Sequence, residues 1–387
     1  MRRIIVCADG TWNTPDQKDN GKPAPTNVWK FFNAVDKCRT APDGIVQKAY
    51  YHAGVGTHPK GLAGIVSRLK MFFTRKPLQG SLFQGITGDG LDQIIKECYE
   101  WLAKECQADD AIYVFGFSRG AYTVRSLAGF IRKCGLLKDP SGANIGAAFD
   151  FYRSGVDPKD PAAQAFRDAN SREVNVYCIG VWDTVGALGI PLKGDLFKQI
   201  NAQYQFHDVK LSSKVKFAFH ALAIDEHRKP FEATLWQQQE APDQVLEQTW
   251  FVGSHCNVGG GYFDPGLSDI TFLWMKERAK RAGLYVDEEY VAKNVNGGKW
   301  DGGIQDSFQP PYDLLGRLDR PIGNTRDTDG KLIDTRESLG EPVFDRLTKI
   351  VPPATVAYGP ETVKVYLANV PTGRARIVNG RVVVLPG

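Results

Sequence analysis

This sequence predicts an α/β protein, a mostly parallel sheet covered by helices on both faces, on three observations. Short apolar runs alternate along the chain with segments of helical periodicity. Several of those runs end in Gly-rich turns carrying Asp, Ser or His, and in open parallel sheets ligands bind at the loops that leave the strands' carboxyl ends. One run, Ala111 to Phe115, passes through Gly116-Phe117-Ser118-Arg119-Gly120 straight into a helical pattern. In such a G-x-S-x-G turn the glycines let a strand bend sharply into a helix and project the serine hydroxyl at the sheet edge.

In chain order, strands are expected at Arg3 to Ala8, Gln47 to His52, Ala111 to Phe115, Glu173 to Val181, Val215 to Ala223 and Thr249 to Val252. Helices are expected over Leu91 to Lys104, Ala121 to Lys133 and Asp269 to Ala282. The second carries Ala121, Val124, Leu127, Ala128 and Ile131 on one stripe and meets Gly135 as a stop. The third pairs Ile270 with Trp274 and Thr271 with Met275 at i,i+4, and Gly283 caps its end. Arg119, Arg125 and Arg132 fall on other faces and read as solvated charges or local ion pairs. Ile377 to Val384, around Asn379-Gly380, reads as a terminal β-hairpin. Residues 1–285 are expected to form the core, with insertions near 58–84 and 186–214, and 286–387 an extension packed on it.

A chain of 387 residues with 42% hydrophobic content is long and apolar enough for a sizeable core. Its formal charge of +4 is small for that length and its basic residues are spread out, which excludes nucleic acid as the expected partner. Seven cysteines, without CxxC or Cys/His spacing, argue against a disulfide framework and a zinc site. No metal and no cofactor is expected. The apolar run Ile4 to Ala8 stops at Asp9, too short for a signal peptide, and no stretch approaches the roughly 20 apolar residues of a membrane span. The expectation is a protein made in the cytoplasm, with export that needs no cleaved signal left open, as is the oligomeric state.

Three further strand ends carry chemistry: Asp9-Gly10-Thr11-Trp12-Asn13, Trp182-Asp183-Thr184-Val185-Gly186, and Gly253-Ser254-His255 running to Gly259-Gly260-Gly261. With Ser118 they give the order Ser, Asp, His. A serine hydroxyl is a poor nucleophile until an imidazole accepts its proton, and the imidazole needs a carboxylate to fix its tautomer. His255 is the candidate base, since the following glycines let backbone pass close to the serine turn. For the acid, position alone leaves Asp183, Asp225 and Asp264 open. The oxyanion is assigned to backbone N–H groups of Arg119, Gly10 and Thr11. Asp9, Trp12, Phe117, Leu188 and Ile190 are candidate substrate contacts.

The segments CADGTWN, FGFSRGAYTVRSLAGFI, GVWDTVG and WFVGSHCNVGGGYFDPGLSDITFLWM resemble a poorly characterised α/β-hydrolase domain family that includes type VI secretion phospholipase effectors. The resemblance runs from Ile4 to about Val363, with weaker matches at Tyr51 to Thr57 and Glu337 to Arg346. It implies a serine in GFSRGA, an acid in DTVG and a histidine in H-x-x-VGGG, which fall on Ser118, Asp183 and His255 and raise Asp183 above Asp225. It also implies an ester hydrolase whose triad needs no metal, and for secreted members a phospholipase. This chain departs from the family pattern at Asn257, where Asp is usual, and at Gly340, near which a His is common.

Two insertions bear on the substrate. Gly61 to Phe73 sets Leu62, Ile65, Leu69 and Phe72 against Lys60, Arg68, Lys70 and Arg75, a surface helix or a face for peripheral contact with lipid. Leu188 to Phe206 reads as a cap over an acyl site or a buried helical insertion. Gly85 to Gly90 lacks the Gly-Lys-Ser/Thr of a phosphate loop, so nucleotide binding is rejected. The expectation is a serine hydrolase of carboxylic esters, a lipase or phospholipase. The rivals are an esterase of soluble esters, thioesters or polyesters, and a non-catalytic binding module that keeps the fold.

Overall fold

The computed structural model describes residues 1–36, 40–54, 88–186, 211–237, 241, 243–310, 312–326, 329–352, 354, 357–369, 375–378 and 381–384. Among them, β1 (Arg3–Ala8), β2 (Gln47–His52), β3 (Ala111–Phe117), β4 (Val176–Trp182), β5 (Phe217–Ala223), β6 (Val245–Phe251) and β7 (Glu337–Leu339) form one sheet. Its order is β7-β6-β5-β4-β3-β1-β2 and each adjacent pair is parallel. The chain steps outward from β1 to β2 and then returns past β1 to β3, so the order reverses at β1. A crevice opens at such a reversal, and here it is flanked by Asp9 and Ser118, which follow the last residues of β1 and β3.

Both faces of the sheet are buried, as a parallel sheet requires. On β1, Ile4, Val6 and Ala8 join one cluster with Leu102, Val124 and Leu127, while Ile5 and Cys7 join the other with Phe31, Phe272 and Met275. The first face is covered by α2 (Gly88–Glu105) and α3 (Arg119–Cys134), the second by α1 (Asn27–Asp36) and, following the short α4 (Gly142–Arg153), α5 (Pro161–Asn170) and α6 (His255–Gly259), by α7 (Gly266–Arg281). Beyond α8 (Glu288–Asn294), the helices α9 (Glu341–Thr348) and α10 (Glu361–Asn369) bring Phe344 and Tyr366 against Trp250 and Val252.

The strands at Arg3–Ala8 and Gln47–His52 and the hairpin pairing Ala375–Val378 with Arg381–Val384 agree with the sequence reading. β6 starts earlier than expected, because polar Glu247 and Gln248 break its apolar run; Gln248 is buried and bonds its side chain to Trp236 and Thr335. Gly135 ends α3 at φ 68° with its N–H on Ile131 O, and Gly283 follows α7 at φ 91°. The helices α1, α4 and α5 were not foreseen, although α5 carries a visible start signal: Pro161 at its first turn, capped by Asp160 accepting from Ala162 N at 2.8 Å. Arg125 corrects the solvated-charge reading, since it is buried with its guanidinium 4.3 Å from the Trp236 ring centroid and donating to Thr234 O. Most of both expected insertions, with the 61–73 stretch, Leu188 and Ile190, lies outside the described residues.

Gly180 on β4 shows how tightly the sheet meets α7. A β-carbon there would lie 2.4 Å from the Phe115 ring and 2.8 Å from the Met275 sulfur. Gly180→Ala is therefore expected to overpack this core and lower stability by about 1–3 kcal/mol, read from urea unfolding.

Candidate active site

Ser118 is the residue at which β3 turns into α3. It holds φ 59°, ψ −122°, a backbone conformation that side-chain-bearing residues rarely adopt. Its N–H continues the ladder to Trp182 O at 3.0 Å, and its carbonyl accepts from Tyr122 N at 3.2 Å. The flanking glycines are required by space: a β-carbon on Gly116 would sit 2.4 Å from Gly120 O, and one on Gly120 would sit 2.1 Å from Ala8 O. The sharp turn therefore packs directly on the end of β1.

The loop after β1 is tied down by Asp9. Its buried carboxylate accepts from Gly10 N at 2.8 Å, Thr26 Oγ1 at 2.6 Å, Tyr51 OH at 2.9 Å and Asn13 Nδ2 at 3.4 Å. Burial outweighs these donors and pushes its pKa up to about 6. Asp9 is thus a positioning group for the Gly10–Asn13 loop, with its oxygens engaged by protein donors. The Gly10 N–H, expected at the oxyanion, is committed to Asp9. The backbone N–H groups of Thr11 and Arg119 have no hydrogen bond among the described residues. Gly10 itself faces Ser118, since a β-carbon on it would lie 3.1 Å from Ser118 Cβ. Trp12, at φ 62°, is half exposed.

Asp183 follows β4 at φ 41° and is fully buried. Its carboxylate accepts from His255 Nδ1 at 2.6 Å, from Ala223 N at 2.9 Å and from both terminal nitrogens of Arg320 at 2.6 and 3.1 Å. Burial by itself would raise its pKa; the Arg320 cation first, and then the His255 bond, hold the carboxyl well below the usual carboxylate range. Arg320 is fully enclosed and also donates to Ala223 O and Phe231 O. It was missed by the sequence reading and no motif marks it, because it reaches Asp183 across 137 residues.

His255 opens α6 with its ring between Phe117 and Phe231, at centroid distances of 4.6 and 5.1 Å. Phe117, expected to touch substrate, is buried beneath this imidazole and against Gly259, where a β-carbon would lie 2.0 Å from the ring. Desolvation, the largest influence, lowers the His255 pKa; Asp183 opposes it. Because Nδ1 faces the Asp183 carboxylate, it carries the proton and leaves Nε2 as the acceptor. The His255 backbone N–H donates to buried Glu226 at 3.3 Å, and Glu226 also accepts from Ser307 Oγ at 2.9 Å and from Arg228. Burial would raise the Glu226 pKa, but Arg228 brings it down to about 2. Behind Asp183, buried His220 accepts from Thr184 N at 3.1 Å through Nε2.

The rival carboxylates lie elsewhere. Asp225 accepts from Gly253 N at 2.6 Å and from Tyr358 OH at 3.0 Å, and it lines a cavity of about 370 Å³ with His227, Arg317 and Tyr358. Asp264 is exposed and accepts from Gly266 N at 3.0 Å. The departures at Asn257 and Gly340 have local causes. Asn257 uses both halves of its amide, accepting from Ser254 N and Gln305 N and donating to Gly303 O. A β-carbon on Gly340 would meet the Phe251 ring at 2.6 Å, so a histidine there needs that ring displaced.

The chain is similar to an uncharacterized Saccharomyces cerevisiae protein, YEL023C, with 30% identity over 241 residues, covering 59% of this chain and 32% of the relative. It thus spans about a third of that relative's length. Among solved structures it is similar to an uncharacterized protein from Pseudomonas aeruginosa, with 19% identity and a TM-score of 0.41, covering 74% of this chain and 46% of that one. Residues 2–278 match the catalytic domain of the type VI secretion system (T6SS) Tle1-like phospholipase effectors, and the chain belongs to that family.

Proposed function

We propose that this chain is a serine ester hydrolase of the phospholipase type, with Ser118 as nucleophile, His255 as general base and Asp183 as the group that orients and stabilises the imidazolium. The observation that carries the reading is the 2.6 Å bond from His255 Nδ1 to Asp183, which leaves Nε2 to accept the Ser118 proton. The serine oxygen attacks the ester carbonyl and His255 takes the proton. The carbonyl oxygen becomes an oxyanion held by the N–H groups of Arg119 and Thr11. Collapse expels the alcohol, protonated by His255, and leaves an acyl-serine; water, deprotonated by His255, then releases the acid. Membership in a phospholipase-effector domain family supports a phospholipid ester as substrate.

Ser118→Ala is expected to lower hydrolysis of a p-nitrophenyl ester by about 10⁴-fold or more and to abolish fluorophosphonate labelling. Retained turnover in that variant would refute the mechanism. Dibutyrylphosphatidylcholine turned over no faster than the spontaneous rate, beside rapid cleavage of the p-nitrophenyl ester, would refute the lipid assignment. The base works neutral and its pKa is lowered, so the acid limb of kcat/KM should be centred below the pH at which a free imidazole titrates. Arg320→Met leaves the Asp183 charge buried without its cation, which should cost about 3–5 kcal/mol in urea unfolding. It also lets Asp183 act undiluted on His255, favouring the imidazolium and moving the acid limb to higher pH. An unmoved limb in the folded variant would show that Arg320 does not tune the base.

A further inference from the structure

Among the described residues, two arginines at the sheet's carboxyl edge, Arg320 and Arg228, are each paired with a carboxylate, whereas Arg119 is not. Arg320 is bonded to Asp183 and Arg228 to Glu226. Arg119, the residue after Ser118, is partly exposed, and among the described residues its guanidinium has no carboxylate and no hydrogen bond. Its neighbour is the half-exposed Trp12 ring, 5.6 Å from the guanidinium carbon, on a loop whose backbone is held at φ 62°. Beside Trp12, the Thr11 hydroxyl is buried with no hydrogen-bond partner. Burial draws the guanidinium pKa down to about 10, with Tyr312 opposing. A partly desolvated cation that lacks a counter-charge and keeps its nitrogens open to solvent can be reached by an arriving anion.

We propose that Arg119 is a specificity residue that binds an anionic oxyacid group of the substrate, carried a short linker away from the ester attacked by Ser118. The inference rests on the serine-esterase reading and names the charge its substrate carries. Arg119 adjoins Ser118 in the chain, their Cα atoms about 3.8 Å apart, so one compact molecule can carry both the anion and the scissile ester. The planar guanidinium fork matches either a phosphodiester or a carboxylate with two parallel hydrogen bonds. A glycerophospholipid ester supplies the first, a soluble half-ester of a dicarboxylic acid the second.

Binding is measured by calorimetry on Ser118→Ala, which separates recognition from turnover, with two matched pairs. These are dibutyrylphosphatidylglycerol against 1,2-dibutyrylglycerol, and monoethyl succinate against ethyl butyrate. The anionic member of at least one pair should bind about tenfold or more tighter than its neutral partner, and adding Arg119→Gln should erase the difference. In the active enzyme, Arg119→Gln should lower the ratio of kcat/KM for anionic over neutral ester about 10- to 100-fold, mainly through KM, with Arg119→Lys retaining part of it. The pair that responds identifies the source of the anion, a lipid phosphodiester or a soluble carboxylate. Equal binding of both members in both pairs, or a preference that survives Arg119→Gln, overturns the assignment of Arg119. Absence of ester hydrolysis by the wild type refutes the esterase reading, and the binding measurement still decides on the anion site.

Discussion

The buried carboxylate of Asp183 is the constraint around which the carboxyl edge of the sheet is arranged. An unpaired charge at this depth would cost several kcal/mol or more, so it persists only because four donors converge on it. Two of those donors come from Arg320, far along the chain, and one from the end of β5. The same contacts that keep Asp183 ionised therefore fix three separate stretches: the loop after β4, the start of α6, and the segment before β7. His255 inherits its orientation from this cluster, held at Nδ1 by Asp183 and at its backbone by Glu226.

Strain collects at the same edge. Trp12, Ser118 and Asp183 are three of the five non-glycine residues with positive φ among the described residues, and each follows or flanks the end of a parallel strand. Such conformations cost on the order of 1–3 kcal/mol each and survive only where the surroundings over-determine them. Here the surroundings are the packed sheet, whose registered strands fix the positions of Ala8, Phe117 and Trp182 before the loops begin. A serine turn pressed onto β1 with less than a methyl group's clearance has no alternative path.

Charge pairing separates the three carboxylates near the edge by role. Asp183 faces a cation and an imidazole and stays ionised. Asp9 meets only neutral donors, so burial raises it. Asp225, also raised by burial, is bonded to Gly253 N and Tyr358 OH. Chain position alone leaves Asp183, Asp225 and Asp264 open; the difference between Asp183 and Asp225 is the direction in which the backbone leaves the strand. The positive φ of Asp183 turns its carboxylate inward, and a periodicity argument carries no information about that turn.

What the sequence by itself determined is what local physics controls. Apolar alternation and turn chemistry placed β1, β2 and the serine turn, Gly135 and Gly283 marked helix ends, and the motifs carrying Ser118, Asp183 and His255 stood at strand ends where the structure has them. Tertiary structure alone decided that Arg320 is the counter-ion of Asp183, that Arg125 is buried on Trp236, that the Gly10 N–H serves Asp9, and that Arg119 has no carboxylate among the described residues. The reason is the range of the interactions. Helical period, capping and glycine turns act within a few residues, whereas ion pairing and desolvation depend on which distant strands the sheet order makes neighbours.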